Sequence, residues 1–100
     1  MLDPVKVPLV RAIEAHGEKL KELTLREPNG GDIMKCGQPF TIDITAEGAV
    51  INPNRPAEMG AMISECAGIP PSSVKALTVI DFLAATAAIV NFIREQGRET

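Results

Sequence analysis

Between Val79 and Ile93, apolar residues occupy more of the chain than one helical face holds. Phe82, Ala85, Ile89, Phe92 and Ile93 recur at helical spacing and form one face, while Val79, Ile80, Leu83, Ala87, Ala88 and Val90 cover much of the rest. Thr78 opens the segment with Asp81 in the position a capping box uses, and Gly97 follows its end. The pattern predicts a helix over about 79–96, about 25 Å long at 1.5 Å per residue. A surface helix in a small domain carries one apolar stripe about 100° wide. The surplus girth predicts burial on a second side, and the expected cover is another chain, either a second copy or a client.

The same 3.6-residue period runs through Met59, Met62, Ile63 and Cys66 and predicts a helix over about 55–67, capped by Asn52 or Asn54. Gly60, Ala61 and Ser64 put small residues on its other faces. Gly68 ends it, Ile69-Pro70-Pro71 breaks the chain, and Ser72 or Ser73 caps one further turn, giving a short helix over about 72–77. Met59 and Met62 have two readings, as core filler or as an adaptable apolar surface beside which an amphipathic helix docks.

Residues 5–27 carry two competing patterns. Val10, Ile13, Gly17, Leu20 and Leu23 fit a helix, whereas Val5, Val7, Leu9, Arg11 and Ile13 alternate, as do Leu23 and Leu25. Pro8 breaks any earlier helix and His16-Gly17-Glu18 makes a good turn, so a hairpin competes on equal terms. Pro28 ends the element. Asn29, with Asp32 three positions on, then caps a short helix over about 30–36 that Gly37 closes. Over 38–54, Phe40, Ile42 and Ile44 alternate with polar residues and predict a short strand. Ala49-Val50-Ile51 either returns as a second strand or crosses as a loop.

A 100-residue chain is expected to be one domain, 1–100, burying about 60–68% of the surface its unfolded form exposes. The formal charge is −3, and the ten basic residues are scattered, with acids interrupting the one dense stretch, Lys19–Arg26. That distribution lacks the basic stripe that phosphate neutralisation needs, and base stacking would fall to three Phe, so no nucleic-acid partner is expected. Cys36 and Cys66 match no metal or redox spacing and read as two reduced, buried hydrophobes. Met1-Leu2-Asp3-Pro4 has an acid where a leader has its basic region, and Val79–Ile93 is too short and polar to span a bilayer. A cytoplasmic protein without a membrane partner is expected.

Catalytic chemistry has no constellation to rest on. His16 is the only histidine and lacks metal-ligand neighbours. Asn29-Gly30-Gly31-Asp32 lacks the Lys-Ser/Thr ending of a phosphate loop and reads as a turn and cap. Ser72 and Ser73 have no base nearby, and Asp43, Glu47 and Asp81 fit solvated or capping roles. No enzyme, catalytic residue, cofactor or metal is expected.

Leu23-Thr24-Leu25-Arg26-Glu27-Pro28 followed by Gly31-Asp32-Ile33 resembles the opening of the Mu-like phage tail assembly chaperone family, of the tail assembly protein E type. Gly37-Gln38-Pro39-Phe40 is similar to a segment downstream. Ala67-Gly68-Ile69-Pro70-Pro71-Ser72-Ser73-Val74, with Leu77 and Asp81-Phe82, resembles the family's C-terminal half, and Ala88-Ile89-Val90-Asn91-Phe92 its closing helix. Residues 41–56 are the poorest match.

The resemblance implies an α+β fold, with a small N-terminal β-hairpin (about 5–27) ahead of a mainly α-helical part of three to four helices. It implies a chaperone that binds the tape measure protein of a tailed phage, keeps it soluble and promotes tail-tube assembly. Such a protein acts in the host bacterial cytoplasm and is absent from the mature virion. A frameshifted longer form of the same chain and a homo-oligomer are further expected partners. A structural connector subunit of the tail, or a small host-directed regulator, are the alternatives. The residues expected to meet a partner are Met59, Met62, Ile63, Phe82, Ile89, Phe92 and Ile93.

Overall fold

The computed structural model describes residues 2–98; Met1, Glu99 and Thr100, at the ends of the span expected as one domain, lie outside the described residues. The elements run β1 (Val5–Ala15), β2 (Glu18–Leu25), α1 (Gly30–Cys36), β3 (Thr41–Thr45), β4 (Gly48–Asn52), α2 (Pro56–Ala67), α3 (Pro71–Lys75) and α4 (Val79–Gln96). The fold is α+β, with an N-terminal hairpin and, among the described residues, four helices.

In residues 5–27 the alternating pattern prevails over the helical one. β1 and β2 pair antiparallel around His16 and Gly17, whose φ angles of 54° and 78° are both left-handed. Two such residues make the tight turn whose twist matches that of the flanking strands. Val7, Ile13 and Ala15 on β1 and Leu23 and Leu25 on β2 are buried, and their neighbours mostly face solvent. α2 and α4 cover this one face, contributing Met59, Met62, Ile63, Ala85, Ile89 and Phe92 to a shared core.

The hairpin is irregular at one place. Between the pairs Pro8↔Glu22 and Ile13↔Leu20, residues 9–12 of β1 oppose Lys21 alone. Pro8 has no amide hydrogen to give the ladder. The bulge that follows turns the Val10 and Arg11 amides away from β2 and towards Asp81. Val10 N donates to both carboxylate oxygens of Asp81, at 2.9 and 3.1 Å, and Arg11 N donates to Oδ2 at 3.3 Å. Asp81 is itself 1% exposed, and its own amide donates to Thr78 Oγ1 at 3.1 Å. The expected cap by Thr78 is present, but the Asp81 carboxylate serves a contact 70 residues away, beyond the local role its spacing suggested.

Three further bonds hold the helices to the hairpin. Ser73 Oγ donates to the Glu14 carbonyl at 2.6 Å, and Arg26 N donates to the Cys66 carbonyl at 3.1 Å. His16 Nε2 lies 3.0 Å from the Gly68 carbonyl. Ser73 is thus a tether and not a cap: α3 starts on Pro70 without a side-chain cap. α2 starts on Arg55, likewise uncapped by a side chain, in place of Asn52 or Asn54. Proline at the first helical turn accounts for both starts, since it leaves fewer amides to satisfy and presets φ.

At the other end of the hairpin, Asn29 caps α1 as expected and forms a full capping box with Asp32. The buried Asp32 carboxylate also receives a bidentate pair from Arg26, at 2.8 and 2.9 Å. Lys35 Nζ meets Glu65 Oε2 at 2.9 Å, so charges join β2, α1 and α2 along one edge. The Arg26 guanidinium pushes the Asp32 carboxyl below its ordinary value.

In residues 38–54 the expected short strand is present as β3, and Ala49-Val50-Ile51 returns beside it as a second strand. β3 and β4 pair antiparallel from Thr41↔Asn52 to Thr45↔Gly48. Among the described residues, no other strand joins this two-stranded sheet.

Candidate partner-binding surface

α4 has two apolar sides, and the fold uses one. Ala85, Ile89 and Phe92 enter the core, while Val79, Ile80 and Leu83 are 76%, 67% and 60% exposed. Ala84 and Ala87 continue the exposed side. At 100° per residue, positions 79, 83, 87 and 80, 84 form one band along the helix.

The β3–β4 hairpin, hereafter the arm, adds to this band. The cross-strand pairs Ile42↔Ile51 and Ile44↔Ala49 place four apolar residues on one face of the arm. Ile44 is 82% exposed. At the base of the arm, Ile51 and Pro53 meet Leu83, Ala87 and Val90 of α4 around an open cleft of about 320 Å³. Arg94 is the one ionisable residue lining that cleft. The apolar face of the arm and the outer band of α4 therefore join at Ile51 into one surface. Scattered exposed hydrophobes are ordinary, but a contiguous patch of this kind marks an interaction site.

A family model described as phage tail assembly chaperone proteins, E, or 41 or 14, matches residues 6–94. The chain belongs to this family. No curated protein and no solved structure matches the sequence. Membership gives the chaperone a role in phage tail assembly, in which it binds other tail proteins. Among the described residues, no helix is long and apolar enough to cross a membrane.

The seven residues expected to face the chaperone's partner divide unevenly. Met59, Met62, Ile63, Ile89 and Phe92 are at most 4% exposed and pack together in the core. The chain keeps these five in its core: the best-formed apolar stripe of each helix is the one buried against its own hairpin. Phe82 and Ile93 are half-buried. Phe82 borders a groove between α2, α3 and α4, and Ile93 borders a small recess with Phe40 and Met62. The exposed surface is instead carried by the surplus apolar residues of α4, whose excess over one stripe was the signal in the sequence. Ile42 and Ile44 were missed, because alternation in a short strand does not say whether its apolar face is covered.

Proposed function

We propose that this chaperone holds the tape measure protein of a tailed phage through the joined surface of α4 and the arm. It keeps that long protein soluble while tail-tube subunits gather around it. The observation that carries this reading is the continuity of Val79, Ile80 and Leu83 with the apolar face of the arm, on a chain whose core is already complete without them. A tape measure protein is long, helical and apolar along at least one face, and an apolar band about 12 Å long on α4, continued by the arm, suits one stretch of such a helix. The action is one of binding and release, with no covalent step. It takes place in the host bacterial cytoplasm, and the chaperone leaves before the virion is complete. A frameshifted longer form would present the same surface with an added domain.

The test is co-expression of the chain with the tape measure protein of its phage. The reading expects soluble tape measure protein that co-purifies with the chaperone, and precipitation when Leu83→Asp replaces the wild type. A tape measure protein that stays insoluble beside the wild-type chain, or chaperone found in purified virions, would overturn it.

A further inference from the structure

A second apolar concavity, of about 440 Å³, lies between α2, α3 and the first turn of α4. Ala57, Gly60, Val74, Leu77 and Phe82 line it, and Lys75 is its one ionisable residue. The acids of α2 point elsewhere: Glu58 packs over Gly37, and Glu65 pairs with Lys35. Lys75 is exposed and makes no ion pair among the described residues. The groove thus asks for an apolar occupant with a carboxylate beside it.

The arm has that chemistry. It carries Asp43 and Glu47, and no Lys or Arg occurs between Lys35 and Arg55. Ile44 and the turn residues Ala46 and Glu47 stand in solvent at its tip, so the arm does not fill the groove of its own chain. An isolated two-stranded hairpin is marginal in water until its apolar face is covered. An exposed acidic arm and an open apolar groove bordered by Lys75 are therefore complementary in both charge and hydrophobicity, and every copy carries one of each.

We propose that the arm of one copy docks in the α2–α3–α4 groove of a second copy, with Ile44 entering the groove and Glu47 meeting Lys75. Asp43 adds to the field that draws the arm to the lysine. The arm and the groove are different surfaces, so one-way docking leaves a free arm and a free groove at the ends and permits growth. Reciprocal docking closes at a dimer. A docked arm gives its apolar face to the neighbouring copy, so self-association and client binding compete for Ile44.

Sedimentation equilibrium of the full chain tests this. The contact is small and belongs to the weak class, so loading reaches on the order of 100 µM. Wild-type mass is expected to rise with concentration. Ile44→Asp and Lys75→Glu each change an exposed side chain, keep the fold by circular dichroism, and weaken self-association at least tenfold. Mixed together they regain a 1:1 complex, because one supplies an intact groove and the other an intact arm. Glu47→Lys combined with Lys75→Glu in one chain restores association that each change alone weakens. A wild-type chain that stays monomeric across the range overturns the proposal. So does a mixture of the two variants that stays monomeric, and so does a Lys75→Glu protein that associates like the wild type, which is the result expected if arms paired with arms.

Discussion

Leu83 and Ile89 lie on opposite sides of α4, and comparing them separates binding from folding. Ile89 is fully buried, and truncating such a residue to alanine costs about 2–5 kcal/mol. A domain of this size has only about 5–15 kcal/mol in hand. Leu83 is 60% exposed, so about two-fifths of its side chain is already covered by the fold. Full burial of a leucine is worth about 1.5–3 kcal/mol, which makes Leu83→Ala cost the fold roughly 1 kcal/mol or less. The exposed three-fifths is worth about 1–2 kcal/mol once a partner covers it, a loss of roughly 5- to 30-fold in affinity on truncation. Leu83→Asp adds the desolvation of a carboxylate and weakens binding further. Urea unfolding followed by circular dichroism reads the first quantity, and fluorescence polarisation with a labelled tape measure fragment reads the second. Ile89→Ala should shift the urea midpoint strongly; in the fraction that remains folded, affinity should hold. A Leu83→Asp protein that is folded and binds within twofold of the wild type would refute the assignment of this face.

Three other outcomes follow from the packing. Gly60→Ala should raise stability by about 0.5–1 kcal/mol, since a Cβ there lies 3.6 Å from the Phe82 ring in ordinary contact and removes a helix-interior glycine; a fall in melting temperature would show the site to be tighter than that. The Cys66 thiol, pushed up to about 12 by burial, should resist alkylation in the native state while the half-buried Cys36 labels first, and mass spectrometry of timed samples reads the order. Asp32 and Asp81 are held below the ordinary carboxyl value of 3.8, the first by the Arg26 guanidinium and the second by the Val10 amide. Carboxyl groups lowered in this way stabilise the fold above 3.8, and that contribution fades as pH falls below it towards their folded values. Asp32→Asn should therefore flatten the acid limb of stability against pH, and an unchanged limb would show that the Arg26–Asp32 pair contributes nothing to it.

Local chemistry was legible in the sequence where a residue acts within a few positions of itself. Asn29 and Thr78 cap their helices, Gly37 and Gly68 close theirs with left-handed φ, and the 3.6 period of Met59–Cys66 marks an apolar helix face, though not whether the core or a partner covers it. The first hairpin was legible only to the extent that two periods competed; alternation over 23–25 and the turn at His16-Gly17 agree with it, but Pro8 and the bulge blur the pattern between them. Long-range partners left no local trace. Nothing in the spacing around Asp81 shows that its acceptors answer the amides of Val10 and Arg11. Nothing around Asp32 distinguishes a solvated cap from a buried acid paired with Arg26. The candidate surface was readable as an excess, since α4 has more apolar residues than one stripe needs, but which stripe the hairpin claims is decided by packing across the whole chain.

That division of α4 has a structural cause. The first hairpin is bonded to the helices at both ends and in the middle: at Arg26 by the Cys66 carbonyl and Asp32, at the bulge by Asp81, and at the turn by Gly68 and Ser73. These contacts fix the rotation of α4, because Asp81 must face the bulge. At 100° per residue, Ala85, Ile89 and Phe92 then follow Asp81 into the core, and Val79, Leu83 and Ala87 are carried outward. A single buried carboxylate at the start of the helix thus sets which apolar side the fold spends and which it leaves for a partner. Among the described residues, the arm meets α4 near its base, around the cleft lined by Ile51, Pro53 and Leu83. Under the proposed function, in which the chaperone holds a client and then releases it, this arrangement serves both steps. Its core does not depend on the client, and the surface that does lies outside the set of bonds that keep the chain folded.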